Sequence, residues 1–145
     1  MEYNSDEALK LGNQLCFPLY AAARKITGYY SPYLRPLGLT YTQYIVFMVL
    51  WEKDGVTVGE ICEKLHLDSG TLTPLLKKME KEEYVTRVRC RDDERRVIIS
   101  LTDKGREMKE QVREIPMKVG SCVCLSGEEA GTLYSLLYKI LEMPE

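Results

Sequence analysis

The sequence predicts a mainly α-helical protein that also contains a small β-hairpin, an α+β arrangement. Three features support this prediction. A long apolar run at residues 44–51 indicates a buried central helix. Two shorter amphipathic segments follow it, and then two alternating β-branched runs flank a charged tip at residues 91–95. Helix, turn, helix and hairpin in this order predict a winged helix-turn-helix.

Length and composition limit the classes of protein to consider. A chain of 145 residues, 45% hydrophobic and 29% charged, fits one soluble globular domain, or one subunit that completes its core in a dimer. No apolar run approaches the roughly 20 residues that cross a bilayer, so no membrane association is expected. Residues 1–6 have neither the basic nor the apolar part of a secretion signal. We therefore expect a cytoplasmic protein whose five cysteines are thiols.

An amphipathic pattern predicts a first helix from about Asp6 to Tyr29. Its main apolar stripe recurs every three or four residues and consists of Leu11, Leu15, Leu19, Ala22 and Ile26. Cys16 and Tyr20 lie one turn apart on the neighbouring stripe. Pro18 removes a backbone donor inside this helix, so we expect Cys16 to lie in mid-helix beside a bend.

Capping boxes mark the next two helices. Thr40 and Gln43 open a helix that runs through Glu52, and Thr57 and Glu60 open a shorter one. A third helix follows a tight turn and runs to about residue 82. Two starts are compatible with its sequence, because Asp68 can cap it but Thr73 and Pro74 also make a good cap and first position.

Residues 84–91 and 96–101 alternate between apolar and polar side chains and predict the strands of the hairpin. The net charge is only −2, yet residues 71–106 contain ten Lys or Arg against seven Asp or Glu. No other part of the chain has an excess of basic residues. The charge distribution therefore favours a nucleic-acid surface on the third helix and the hairpin.

Two more helices are predicted after Thr102. The first has a bend at Pro116 and an apolar stripe of Met108, Val112, Ile115 and Val119. The second is opened by Ser126 and has a stripe of Ala130, Leu133, Leu137 and Ile140. We predict that residues 1–40 and 103–145 form a helical dimerisation region and that residues 41–102 form the DNA-binding domain.

The order of elements, the wing segment at residues 91–96 (RDDERR) and the segment at residues 101–105 (LTDKG) resemble those of the MarR superfamily of winged-helix repressors. The similarity covers essentially the whole chain. Cys16, Tyr30 and Tyr41 resemble, more narrowly, the organic-hydroperoxide-sensing, OhrR-like branch of that superfamily. Further similarities lie at residues 15–20, 39–41 and 70–78. The resemblance implies that Cys16 reacts with the peroxide and that Tyr30 and Tyr41 reach it from the partner subunit.

Sensing at Cys16 has a chemical requirement, because peroxide oxidises a thiolate and not a thiol. Hydrogen bonds from the hydroxyls of Tyr30 and Tyr41 would stabilise the negative sulfur, with Tyr20 one turn away on the same helix. The apolar neighbours of Cys16 favour an organic hydroperoxide over a strongly hydrated oxidant. The alternative is that Cys16 is a small buried hydrophobic residue, the common fate of a free cysteine.

Cys122 and Cys124 precede the last helix. The resemblance implies that a thiol at this place resolves the sulfenic acid by forming an intersubunit disulfide. Two loop cysteines without a role are equally compatible with the sequence. No metal site or other cofactor is predicted, since Cys62 and His66 lack the further ligands that zinc requires. Cys62 and Cys90 are expected to belong to the core.

DNA contacts are predicted on the third helix and on the hairpin. The short side chains of its first turns allow that helix to approach the bases of the major groove, and its lysines are expected to bind phosphates. Arg95 at the wing tip, held by Asp93, is expected to enter a narrow minor groove. The predicted interface consists of Ser69, Thr71, Thr73, Pro74, Lys77, Lys78, Arg87, Asp93, Arg95 and Arg96.

These features predict a homodimeric repressor of a pseudo-palindromic operator in double-stranded DNA. An organic hydroperoxide would oxidise Cys16 and so release the DNA. One alternative is a MarR-type repressor that a small apolar or phenolic ligand controls, with a structural Cys16. Another is a thiol peroxidase, but the sequence shows no evident general acid, and such an enzyme would not need a basic wing. No enzymatic activity is therefore predicted.

Overall fold

A computed structural model describes residues 5–143 of the chain. These residues form nine α-helices, three β-strands and two 3-10 turns, at Leu11–Asn13 and Arg35–Leu37. Residues 1–4 and 144–145 lie outside the described residues. The two ends of the predicted dimerisation region, and most of the segment at residues 1–6 that lacks the features of a secretion signal, fall on them. No helix within residues 5–143 is long and apolar enough to cross a membrane.

The helices are, in chain order, α1 (Ser5–Ala8), α2 (Cys16–Gly28), α3 (Ser31–Leu34), α4 (Tyr41–Glu52), α5 (Val58–Leu65), α6 (Ser69–Lys81), α7 (Asp103–Val112), α8 (Ile115–Gly120) and α9 (Gly127–Leu141). The strands are β1 (Val56–Thr57), β2 (Val85–Arg89) and β3 (Val97–Leu101). Helices α5 and α6 with the β2–β3 hairpin form the winged helix-turn-helix, so the predicted fold class is confirmed.

The small sheet has the antiparallel order β1-β3-β2. In the hairpin, Val85 pairs with Leu101 and Arg89 pairs with Val97, as the two alternating runs predicted. Strand β1 is an addition to the prediction, and Val56 in it pairs with Ile99. Its two residues are too few to show an alternating pattern, so the sequence did not reveal it.

The central helix is confirmed, and it supplies the middle of the core. Val46, Phe47 and Leu50 of α4 are at most 1% exposed. One buried cluster surrounds them and extends along the chain from Leu34 to Val119. Both predicted capping boxes are present, since Thr40 and Thr57 each accept a hydrogen bond from the backbone N–H three residues later.

The start of the third helix, which the sequence left open, lies at the earlier of the two positions. The Asp68 carboxylate accepts hydrogen bonds from the backbone N–H and the hydroxyl of Thr71, both at 2.8 Å. Helix α6 therefore includes Pro74. Pro74 costs the helix the hydrogen bond to the carbonyl of Gly70. The Asp68 cap and the burial of Leu72 on the inward face stabilise the longer helix by more than this loss.

The prediction of one helix from Asp6 to Tyr29 was wrong. That stretch contains α1, a 3-10 turn and α2, and α2 begins at Cys16. Pro18 explains the difference, because in the first turn of a helix the missing N–H would have no partner in any case. The expected bend at Pro18 is replaced by a new helix start, and Cys16 is its first residue.

The helix predicted after Thr102 is divided in two. Helix α7 ends at Val112 and α8 begins at Ile115, with Pro116 in its first turn. The predicted apolar stripe of this region is nevertheless buried, with Met108, Val112, Ile115 and Val119 at most 5% exposed. The last helix follows its predicted cap at Ser126.

The apolar sides of α2 and α9 have a different environment. No side chain of either helix is buried in the described chain. Leu15 is 77% exposed and Leu136 is 54% exposed. The two helices line a groove of about 500 Å³ whose walls are almost entirely apolar, formed by residues that include Leu19, Leu133 and Ile140.

Candidate functional site

Cys16 lies at the first position of α2, and its thiol is exposed. The preceding residue, Leu15, provides no side-chain cap for the helix. Free backbone N–H groups and the positive end of the helix dipole therefore lie near the sulfur, and both favour a negative charge. The structure thus corrects the prediction that Cys16 lies in mid-helix.

Tyr30 and Tyr41, the two tyrosines that the resemblance singles out, lie next to each other. Their ring centroids are 5.0 Å apart in an edge-on arrangement. Tyr44 is a third member that the prediction of the site did not include, with centroid distances of 5.5 Å to Tyr30 and 6.3 Å to Tyr41. Its spacing of three from Tyr41 on α4 was the available signal, because residues three apart share a helix face.

The environment of these phenols keeps them protonated at neutral pH. Burial raises the pKa of Tyr30, and burial together with the nearby Tyr30 raises the pKa of Tyr41. The pKa of Tyr44 rises to about 12, chiefly through burial and further through Tyr30 and Tyr41. A protonated phenol is a hydrogen-bond donor, so the cluster can donate to an anion such as a thiolate.

The Cys16 thiol makes no hydrogen bond with any residue that the structure describes, including those of the tyrosine cluster. Tyr20, one turn along α2, is 61% exposed, and its ring lies 5.4 Å from the guanidinium carbon of Arg24. Among the described residues of one chain, the cysteine and the tyrosine cluster are thus not joined by a hydrogen bond.

The other four thiols fall into two groups. Cys122 and Cys124 are exposed in the segment between α8 and α9, where the Cys122 sulfur donates to the carbonyl of Lys118 at 3.5 Å. Cys62 and Cys90 are half-buried. The pKa of Cys62 is raised by burial and by the charge of Asp68, which makes its thiolate scarce at neutral pH.

The predicted DNA-contacting residues of α6 lie on its exposed side. Ser69, Thr71, Pro74, Lys77 and Lys78 are exposed, and Thr73 is half-buried. The hydroxyl of Thr71 is committed to the Asp68 cap. Lys78 lies 3.8 Å from the Glu82 carboxylate, whereas Lys77 has no ion pair among the described residues. Lys77 is therefore the freer of the two cations to bind an external phosphate.

Two of the predicted wing residues, Arg87 and Asp93, make contacts within the chain. The Arg87 side chain is only 19% exposed, and its guanidinium lies 3.3 Å from the Glu80 carboxylate of α6. It joins the base of the wing to the third helix. At the tip, Asp93 accepts a hydrogen bond from the backbone N–H of Arg95 at 3.0 Å, which leaves the Arg95 side chain exposed beside that of Arg96.

A buried amide connects the tyrosine cluster with the end of α6. Gln43, which is 0% exposed, donates to the Glu82 carboxylate at 3.0 Å. In the sequence Gln43 is recognisable only as a capping residue, and its pairing with Glu82 has no local signal because the two are 39 positions apart.

Comparison with known proteins identifies relatives of the chain. The family model described as "Transcriptional regulator SarA/Rot" matches residues 28–112. The organic hydroperoxide resistance transcriptional regulator of Bacillus subtilis (strain 168) is 47% identical over 139 residues, which make up 96% of this chain and 95% of that protein.

Solved structures agree over the same length. The structure of reduced AbfR bound to DNA is 37% identical, covers 96% of this chain and 97% of that one, and superposes with a TM-score of 0.77. AbfR is a protein of Staphylococcus epidermidis. The structure of disulfide-formed AbfR, also 37% identical and covering 95% and 97% of the two chains, has a TM-score of 0.65.

Proposed function

The chain belongs to the MarR superfamily of winged-helix transcriptional regulators, in the branch of the organic hydroperoxide resistance regulators, and we propose that it is a homodimeric repressor that releases its operator when an organic hydroperoxide oxidises Cys16. The observation that carries this proposal is the exposed thiol at the first residue of α2. This position gives the oxidant access to the sulfur, next to the backbone N–H groups of the first turn of α2. The proposed place of action is the cytoplasm.

The dimer is proposed to form through the apolar sides of α2 and α9, within the regions 1–40 and 103–145. Leu15, Leu133 and Leu136 are each at least 40% exposed in the single chain, and apolar surface of this extent is stabilised by a partner. A second copy would also bring its Tyr30 and Tyr41 to the Cys16 of its partner. The thiol would then have the hydrogen-bond donors that it lacks among the described residues of its own chain.

The proposed reaction has two balanced steps. The Cys16 thiolate attacks the terminal peroxide oxygen, the O–O bond breaks, and the products are a sulfenic acid and an alkoxide, which takes up one proton to become an alcohol. A second thiol then attacks the sulfenic sulfur, a disulfide forms, and water leaves. Cys122 and Cys124 are exposed, and both are candidates for the second thiol. AbfR has been solved reduced on DNA, overoxidised on DNA and with a disulfide formed, which supports thiol oxidation in a regulator similar to this chain.

DNA binding is proposed to use the exposed side of α6 and the wing. Ser69, Thr71, Thr73 and Pro74 of α6 would face the major groove, while Lys77 and Lys78 bind phosphates. At the wing, Asp93 shapes the tip, and Arg95 and Arg96 reach the minor groove. Arg87 would act at the base of the wing through Glu80. Two α6 helices of a dimer suit a pseudo-palindromic operator with half-sites about one helical turn apart.

The test measures DNA binding and disulfide formation in the same samples. An operator is first selected by the reduced protein from random duplex DNA, and binding is followed by fluorescence anisotropy before and after one equivalent of cumene hydroperoxide. We expect the wild type to release the operator and to show a disulfide on a non-reducing gel. Cys16→Ser should bind the operator and keep it, whereas the control Cys90→Ser should behave like the wild type. Release by Cys16→Ser equal to that of the wild type would disprove the proposal.

A further inference from the structure

Three capping boxes open helices in the described chain, and one of them differs from the other two. The boxes at Thr57 and Ser126 use a glutamate, Glu60 or Glu129, whose exposed carboxylate accepts from the backbone of the cap. The box at Thr40 uses Gln43, whose side chain is completely buried. A carboxylate would serve the cap equally well, so the cap alone does not explain the amide.

The amide of Gln43 makes hydrogen bonds in two directions. Its oxygen accepts from the backbone N–H and the hydroxyl of Thr40, at 2.9 and 3.3 Å. Its nitrogen donates to one carboxylate oxygen of Glu82 at 3.0 Å, and the other oxygen of Glu82 lies 3.8 Å from the ammonium of Lys78. Of glutamate and glutamine, the two side chains that close these capping boxes, only the amide can accept at the cap and donate to an ionised carboxylate at once. A glutamate at this position would place two carboxylates against each other.

This bridge joins two elements with different roles. Gln43 lies between Tyr41 and Tyr44 in the first turn of α4, so it is part of the segment that carries two rings of the tyrosine cluster. Glu82 follows directly on α6, whose exposed side carries the proposed DNA contacts. A shift of the first turn of α4 moves the amide with it, because both are on one rigid helical turn.

Burial makes the bridge sensitive to such a shift. The Gln43 side chain has no access to water, so a broken bond to Glu82 leaves a buried donor without a partner, which is costly. The bond is kept when Glu82 moves together with the Gln43 amide, and this movement also shifts the end of α6. Glu82 is half-buried, with its side chain 32% exposed, so the constraint lies at the buried amide, which has no water to replace the carboxylate.

We propose that Gln43 and Glu82 are positioning residues that transmit the state of the tyrosine cluster to the recognition helix α6. The inference rests on the proposed function, because it concerns how oxidation at Cys16 lowers the affinity for DNA. Neither residue contacts the oxidant. Their role is measured by the coupling between oxidation and DNA binding, which is the ratio of the operator Kd of the oxidised protein to that of the reduced protein.

The test uses two disrupting variants and one that exchanges the partners. Gln43→Glu places a carboxylate against Glu82, and Glu82→Ala removes the acceptor. Each should lower the Kd ratio by about three- to thirtyfold, the range observed when coupling residues are altered. The double variant Gln43→Glu with Glu82→Gln reverses donor and acceptor and should restore the ratio. The control Glu129→Gln changes a capping carboxylate whose partner among residues 5–143 is Ser126 alone, and it should leave the ratio unchanged.

The outcomes separate this inference from the proposed function. If the wild type does not lose affinity on oxidation, the proposed function fails, and this inference fails with it. If the wild type releases DNA and the two disrupting variants show its Kd ratio, the inference is wrong while the proposed function stands. Loss of coupling without rescue in the exchanged pair would also overturn it, since a merely structural role predicts that result. If Gln43→Glu does not fold, the Kd ratio of Glu82→Ala decides whether the inference holds.

Discussion

The winged helix-turn-helix and the helices α2 and α9 are all amphipathic, but their apolar sides are covered differently. Of the described residues, all twenty buried hydrophobic ones lie between Leu34 and Val119. In that region the central helix α4, which is apolar on every side, and the predicted inward face of α6 are covered by neighbouring elements. The apolar sides of α2 and α9 are open, although their sequence pattern is as regular.

This difference shows what an amphipathic pattern can and cannot indicate. The pattern identifies the side of a helix that needs cover, but it does not distinguish cover by the same chain from cover by another molecule. The core therefore stabilises the fold of each single chain. The apolar sides of α2 and α9 are proposed to add to stability only when a second copy buries them in the dimer. The following predictions test this contrast, starting with the largest expected effect.

Phe47→Ala removes the largest fully buried side chain of the core. We expect the free energy of unfolding to fall by about 3–5 kcal/mol, because a cavity remains beside the stacked ring of Trp51, 5.1 Å away. Urea unfolding followed by circular dichroism measures the loss, which should be the same at low and high protein concentration. A loss that depends on concentration would mean that Phe47 acts through the dimer.

Leu136→Glu places a charge on the open side of α9. The helix should persist, because Leu136 is 54% exposed in the single chain, but the dimer should dissociate since a charge at a dry interface is costly. Analytical ultracentrifugation should show monomers, and the matched change Leu72→Glu in the core should instead unfold the chain. A variant that remains a dimer would show that this side of α9 is not the interface.

Alkaline pH should weaken the core before it affects the exposed ends. The folded-state pKa of Tyr44, about 12, is above the ordinary value of 10.0, so its contribution is complete below pH 10 and is lost as the pH rises towards 12. The Tm should fall across this window, and it should fall less in Tyr44→Phe, which has no phenol to ionise. Equal slopes in both proteins would exclude Tyr44 as the cause.

Tyr30→Phe and Tyr41→Phe should slow the oxidation of Cys16 by about tenfold each while folding and DNA affinity stay nearly unchanged. Each change removes a hydrogen bond to a charged acceptor, worth on the order of 1.5–3 kcal/mol. Stopped-flow measurement with an organic hydroperoxide gives the rates. Tyr33→Phe is the matched control, since this half-buried ring is outside the tyrosine cluster, and equal rates in all four proteins would remove the tyrosines from the sensing site.

Arg95→Ala and Lys77→Ala should have the smallest effects, because each removes one cation from the DNA interface. Both should lower the salt dependence of operator binding by about one unit of slope. Arg95→Ala should lose more affinity on operators with A·T-rich flanks, where the minor groove is narrow, and Lys77→Ala should weaken all operators about equally. Unchanged binding by Arg95→Ala on every operator would show that the wing tip does not contact DNA.

The sequence by itself determined the elements whose signals are local. The capping boxes at Thr40 and Thr57, the apolar central helix and the alternating strands of the wing need only neighbouring residues to be recognised, and they are present as predicted. Resemblance to a known family added the fold and the choice of Cys16, Tyr30 and Tyr41, because it compares the whole chain at once.

Tertiary structure decided the features that depend on distant residues or on competing local signals. It placed Cys16 at the start of α2, because Pro18 favours a helix start as readily as a bend. Three further contacts are visible only in the tertiary structure: Tyr44 packs against Tyr30, Arg87 pairs with Glu80, and Gln43 donates a hydrogen bond to Glu82. These contacts link separate elements of the chain, and no periodicity within one element specifies a partner on another.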